Sequence, residues 1–132
     1  MINKEQKTIL LVEDDALIAW SESTRLKEYG YNVIYVLDGQ KAIEIVRDNK
    51  TIIDLILMDI NLEEKLDGTE TAKTILKESN IPIIFFSNHI DPETVNKTEN
   101  INSYGYVVKN SGIIVLDASI KMALRLHDGE KK

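Results

Sequence analysis

Five short apolar runs recur along the chain, each closed by polar or turn residues. They are Thr8-Ile-Leu-Leu-Val12, Asn32 to Leu37 (with Val33, Ile34, Tyr35 and Val36), Leu55-Ile-Leu-Met58, Ile81-Pro-Ile-Ile-Phe-Phe86 and Tyr106-Val-Val108. The runs predict strands, and the first, short and apolar throughout, predicts one buried on both faces. Pro82 suits only the first residues of its strand, because it has no amide hydrogen for a ladder. Between the runs the apolar spacing changes to that of helices. Asp15 predicts the cap of a helix to about Glu28, stopped by Gly30 as the residue after the C-cap. Asp38-Gly39 predicts a turn before a helix over Gln40 to Asp48, with Ala42, Ile43 and Val46 on one face. A loop from Asp59 to Asp67-Gly68 precedes a helix over Thr69 to Ser79, with Ala72, Ile75 and Leu76 toward a core. Asp91 and Pro92 predict the N-cap and first position of a short polar helix. Ile113 to Leu126 predicts the last helix. One of its stripes is Ile113, Leu116, Ile120 and Leu124. A second, Val115, Met122 and Leu126, suits either sheet packing or a partner face.

Five β/α units with short links imply one parallel sheet, covered on both faces by right-handed crossovers. The expected fold is α/β: a single five-stranded parallel sheet, doubly wound, in order 2-1-3-4-5. One domain is expected over residues 1–132, with its core at about 8–127 and loose tails at Met1 to Gln6 and Asp128 to Lys132.

Composition narrows the function. The chain has 132 residues, the size of one domain, and 43% hydrophobic with 29% charged residues is a globular balance. Its 22 acidic and 16 basic residues give a net charge of −6, which disfavours direct nucleic-acid binding. Absence of cysteine excludes disulfides, zinc-thiolate sites and thiol chemistry. Met1 to Lys7 lacks the apolar core of a signal peptide, and no apolar stretch is long enough to span a bilayer. A cytoplasmic protein is expected.

The chemistry collects at strand ends. Parallel sheets bind ligands beyond the carboxyl ends of their strands, where strand order reverses. There the sequence places Asp14 and Asp15, Asp59, Ser87 and Lys109. With the first and third strands adjacent, three carboxylates converge. Two like charges about 4 Å apart repel by roughly 4 kcal/mol at an effective dielectric near 20. The carboxylates therefore need a cation beyond Lys109. Hard oxygen ligands without His or Cys point to Mg²⁺, with Mn²⁺ as the alternative. Asp14 and Asp15 suit metal binding, and the backbone carbonyl of Asn61 is placed to complete the set. Asp59, alone on its strand end, is the candidate nucleophile for a phosphoryl group, giving an aspartyl-phosphate.

These residues resemble the receiver domain of two-component response regulators. The resemblance rests on Val12-Glu13-Asp14-Asp15, Asp54-Leu-Ile-Leu-Met-Asp59, Asp67-Gly68, Pro82-Ile-Ile-Phe-Phe-Ser87 and Tyr106-Val-Val-Lys109, and it runs from about Thr8 to Leu126. It implies a flavodoxin-like (βα)₅ fold, with Asp59 as phosphoacceptor. It further implies Asp14 and Asp15 as metal-binding acids, Asp15 the more direct, and Asn61 as the backbone ligand. Lys109 would contact the phosphoryl group, Ser87 would be the switch hydroxyl and Tyr106 the aromatic that follows it. The implied phosphodonor is a sensor histidine kinase or phosphotransfer protein. The implied output is a face of the fourth helix, fifth strand and fifth helix. That face would be read by a downstream protein or by further domains of a longer regulator, with a homodimer as a family-level expectation. The sequence departs from the family at Asn110, where a proline is usual, at Glu63, and at Asn88 after the switch serine. Asn61 and His89 match positions that tune phosphoryl loss.

Two other functions fit parts of the pattern. A magnesium-dependent phosphohydrolase would use the same aspartyl-phosphate, but would place its nucleophile after the first strand with a second Asp two residues on. A phosphorylation-independent binding module would not need the full set of acids, Ser87 and Lys109. Dinucleotide and flavin binding lack a Gly-rich loop after the first strand.

Overall fold

The computed structural model describes residues 6–60, 62, 67–88, 92–99, 101 and 103–130. Asn61, Glu63, His89 and Asp91 lie outside the described residues, as do residues 1–5. Five strands run in parallel: β1 (Thr8–Val12), β2 (Asn32–Val36), β3 (Leu55–Asp59), β4 (Ile83–Ser87) and β5 (Gly105–Val108). They form one sheet in the order β2-β1-β3-β4-β5. Each is followed by a helix: α1 (Ala16–Glu28), α2 (Gly39–Asp48), α3 (Gly68–Glu78), α4 (Pro92–Glu99) and α5 (Ile113–Glu130).

Alternation along the strands divides the interior in two. Leu10, Val12, Ile56, Met58, Ile83 and Phe85 pack with Ala42, Ile43, Ala72 and Ile75 of α2 and α3. Ile9, Leu11, Leu55, Leu57, Ile84 and Phe86 pack with Ala19 and Leu26 of α1 and with Leu116, Ile120 and Ala123 of α5. Successive strand residues point to opposite faces, so a continuous apolar run supplies both layers.

Local details move some expected boundaries. Asp38 is the cap of α2, accepting from the Lys41 amide at 2.8 Å, so Gly39 is helical rather than part of a turn. Pro82 stands just before β4, where its carbonyl accepts from the Ile56 amide at 2.9 Å. Pro92 opens α4 as expected. Gly30, with φ of 95°, follows the C-cap Tyr29. The 3₁₀ turn Lys109–Ser111 links β5 to α5. The last helix runs through Glu130 and not Leu126, so Asp128 to Glu130 is helix rather than loose tail. His127 explains this: it is buried, meets the Asn80 carbonyl and lies edge-on to Tyr104 at 5.8 Å. The second stripe of α5 is solvent-facing, with Val115, Met122 and Leu126 all exposed. Among the described residues, no helix is long and apolar enough to cross a membrane.

Candidate functional site

Strand register assembles the site. Val12 pairs with Met58, so the residue just after β1, Glu13, comes level with Asp59. Asp59 in turn pairs with Phe86, and Ser87 with Val108, which puts Lys109 one step beyond. Side-chain alternation then sorts these residues by face. Glu13 continues the row Ile9–Leu11, Asp59 continues Leu55–Leu57, and Lys109 follows Val107, all on the α1/α5 side. The Glu13 amide donates to the Val36 carbonyl at 3.1 Å and the Ile60 amide to the Phe86 carbonyl at 3.3 Å, which fixes the backbone on either side of the site.

Lys109 ties the cluster together. Its Nζ donates to Asp59 Oδ2 at 3.2 Å and to Glu13 Oε1, and it stands 5.6 Å from the centre of the Phe86 ring. Glu13 and Asp59 are buried, at 1% and 4% exposure, so their charges are poorly screened. Burial, and next a hydrogen bond to Asp59, push the Glu13 carboxyl up to about 7 despite Lys109 beside it. Burial alone would depress the Lys109 ammonium, but Glu13 and Asp59 outweigh it and the net shift is upward.

The acidic pair differs from the expected one by one residue. Oxygens of Glu13, Asp14 and Asp59 lie within 4.8 Å of one another. Asp15 is instead engaged as the cap of α1: its Oδ1 accepts from the Leu17 amide at 3.0 Å and from the Ile18 amide at 3.1 Å. The residue that sequence reasoning passed over is Glu13. Its signal was parity, since an odd-numbered inward row on β1 leads through Ile9 and Leu11 to position 13.

The cluster fits a hard divalent cation. With Glu13 ionised, three carboxylates and one ammonium carry −3 + 1 = −2, the charge a divalent ion would cancel, and such an ion would favour that ionised form. Oxygens on octahedral Mg²⁺ stand about 3 Å apart when adjacent and about 4.2 Å when opposite, so this cluster, within 4.8 Å, would draw together around an ion. Asn61, the expected backbone ligand, is outside the described residues. Ser87 ends β4 fully buried, and Tyr106 is half-buried against the α2/α3-side core, on the sheet face opposite the Glu13 row.

The first turn of α3 is seated on this strand end. Gly68 is buried and its amide donates to the Ile60 carbonyl at 3.1 Å. Asp67 caps the helix, accepting from the Glu70 amide at 2.9 Å and from Thr69 Oγ1 at 2.8 Å.

Comparison with known proteins gives a consistent picture. The family model of the response regulator receiver domain matches residues 9–121. The transcriptional regulatory protein YrkP of Bacillus subtilis is 34% identical over 121 residues, which are 90% of this chain and 50% of that protein. The sensory transduction protein BceR of Halalkalibacterium halodurans is 32% identical over 117 residues, 89% of this chain and 49% of that one. The chain thus spans about half the length of these curated relatives. Among solved structures, it is similar to the N-terminal domain of a response regulator/sensory box/GGDEF three-domain protein from Carboxydothermus hydrogenoformans. The TM-score is 0.88 at 40% identity, covering 96% of this chain and 100% of that one. The signal receiver domain of a modulated diguanylate cyclase from Desulfovibrio desulfuricans gives a TM-score of 0.85 at 34% identity, covering 95% and 98%.

Proposed function

The chain belongs to the response regulator receiver family of two-component systems, and on that premise we propose that it takes a phosphoryl group onto Asp59 and switches a partner-binding face in response. The observation that carries this reading is the Asp59 carboxylate held 3.2 Å from Lys109 beside Glu13 and Asp14. A carboxylate oxygen of Asp59 attacks phosphorus. The P–N bond of a phosphohistidine donor, or the P–O bond of acetyl phosphate, breaks, and its electron pair leaves with the donor. Lys109 meets a phosphoryl oxygen and offsets the incoming charge. Asp14, Asp59 and the Asn61 carbonyl, with Glu13 beside them, would hold Mg²⁺, which would supply charge neutralisation to the transferring group. Asp15 serves this site indirectly, by fixing the start of α1.

Ser87 is the hydroxyl that reaches the phosphoryl group, and Tyr106 on β5 responds to its movement. The readout surface is then α4, β5 and α5. The donor is a sensor histidine kinase or a phosphotransfer protein, and the output lies in a downstream protein or in further domains. The test is intact mass after incubation with acetyl phosphate, with and without Mg²⁺. A single Mg²⁺-dependent phosphoryl adduct on wild type, absent from Asp59→Asn, is expected. No adduct on wild type, or an equal adduct on the variant, overturns the reading.

A further inference from the structure

Glycine is a poor residue for a helix, yet Gly68 opens α3. The reason is space. A Cβ built on Gly68 would lie 1.9 Å from the backbone oxygen of Asp59 and 2.8 Å from both the Asp59 carbonyl carbon and the Ile60 Cα. Ordinary contact begins at 3.4 Å, so the shortest of these contacts would have to open by 3.4 − 1.9 = 1.5 Å. All three atoms are backbone, which cannot swing aside as a flexible side chain would. A second glycine backs the first. A Cβ on Gly39, at the start of α2, would lie 2.1 Å from Thr71 Oγ1, and that hydroxyl already donates to the Asp67 carbonyl at 2.8 Å. Thr71 is fully buried, so it has little room to move. From α2 through the first turn of α3, packing contacts lead without a gap to the backbone of Asp59.

We propose that Gly68 is a positioning residue for Asp59: its missing side chain lets α3 seat directly on the Asp59 carbonyl and so sets where the carboxylate stands relative to Glu13, Asp14 and Lys109. This rests on Asp59 being the phosphoacceptor. Gly68 does not touch the reacting atoms. It acts through the backbone that carries them. Misplacing a reacting group by about 1 Å costs roughly 100-fold in rate, and the relief needed at Gly68 is of that size.

The test uses three variants of the full chain, assayed where each is shown to be folded. Gly68→Ala should cut the initial rate of Mg²⁺-dependent labelling by acetyl phosphate by roughly 100-fold. Asp67→Ala, which frees the first turn of α3 without adding bulk, should slow labelling in the same direction by a smaller factor. Ile75→Val trims the buried side of α3 far from the site and should label like wild type. In parallel, the ¹³C shift of the Asp59 carbonyl and the amide shift of Ile60 are measured by NMR without Mg²⁺ or phosphodonor. Both should move in Gly68→Ala and stay in Ile75→Val. Labelling of Gly68→Ala near the wild-type rate overturns the proposal, as does an equal loss in Ile75→Val. If Gly68→Ala does not fold, unchanged labelling in Asp67→Ala overturns it. If wild type itself is not labelled, the phosphoacceptor reading fails. The NMR shifts of the folded variants then decide the positioning claim, and unmoved Asp59 and Ile60 signals overturn it.

Discussion

Replacing Lys109 with methionine removes the positive charge between two buried carboxylates while keeping most of the side chain's bulk. The 3.2 Å contact with Asp59 corresponds to a gross attraction of about 5 kcal/mol at an effective dielectric of 20, and Glu13 is bonded to the same ammonium. Desolvation consumes much of that attraction. Breaking a buried pair by removing one partner nevertheless costs about 3–5 kcal/mol, because the surviving charges stay out of water. That loss lies within the stability of an ordinary domain, about 5–15 kcal/mol, so the variant should fold. The cost should also depend on pH. Burial raises the Glu13 carboxyl to about 7 from an ordinary value of 4.5, even with Lys109 opposing. The folded state therefore holds a proton on Glu13 that the unfolded state has released across that window. Stability from this group falls as pH rises from 4.5 through 7. Without Lys109 the window extends upward. Urea unfolding in EDTA should give a wild-type to Lys109→Met gap of about 3–5 kcal/mol at pH 8, shrinking by about half at pH 5, where Glu13 is neutral. Saturating Mg²⁺ should narrow the gap at pH 8. A gap below about 1 kcal/mol at pH 8, or one equal at both pH values, would refute the view that Lys109 neutralises this cluster.

Other substitutions separate roles that lie close together in sequence. Asp15→Ala should cost about 1 kcal/mol through loss of the α1 cap and leave Mg²⁺ affinity nearly unchanged. Asp14→Ala should lower that affinity by roughly tenfold or more at little cost in stability, and a calorimetric titration of both variants would expose the reverse assignment. Tyr31 donates to Asp117 at 2.6 Å between two buried groups, and Lys121 holds the other Asp117 oxygen at 2.9 Å. Tyr31→Phe should therefore lose about 2 kcal/mol in urea unfolding, and a loss near zero would contradict a buried charge-assisted bond. On α5, Ile120→Ala should cost about 3 kcal/mol and Met122→Ala less than about 0.5. Similar costs for the two would mean the wrong stripe has been taken as core.

The sheet was legible because its inner strands β1, β3 and β4 are buried on both faces, a condition that writes itself as unbroken apolar runs such as Leu55 to Met58, while the edge strands β2 and β5 are only half-buried. Order and topology followed from the alternation of such runs with helical spacing. The acidic corner was less legible. Glu13-Asp14-Asp15 offers three neighbouring carboxylates; Asp15 reads as a helix cap, but composition does not say which two of the three face Asp59. That depends on where β1 stops, and the parity of Ile9 and Leu11 carries the answer only once the strand's end is known. The end of α5 was hidden for a different reason. His127-Asp128-Gly129 reads as a polar exit, but Leu116, Ile120, Ala123 and His127 follow one buried stripe, and the histidine satisfies its polarity against the Asn80 carbonyl. Gly68 looked like a loop residue beside Asp67. Its requirement comes from the backbone of a strand nine residues earlier, which no local pattern reveals.

The central claim is that Asp59, and no neighbouring carboxylate, receives the phosphoryl group. Borohydride reduces an aspartyl-phosphate to homoserine, so the acceptor can be read directly. The protein is labelled with acetyl phosphate and Mg²⁺, treated with borohydride, digested and sequenced by mass spectrometry. Homoserine at position 59 alone is the expected result. Homoserine at Asp14 or Asp15, reduction at Glu13, or a labelled protein with Asp59 intact would contradict it.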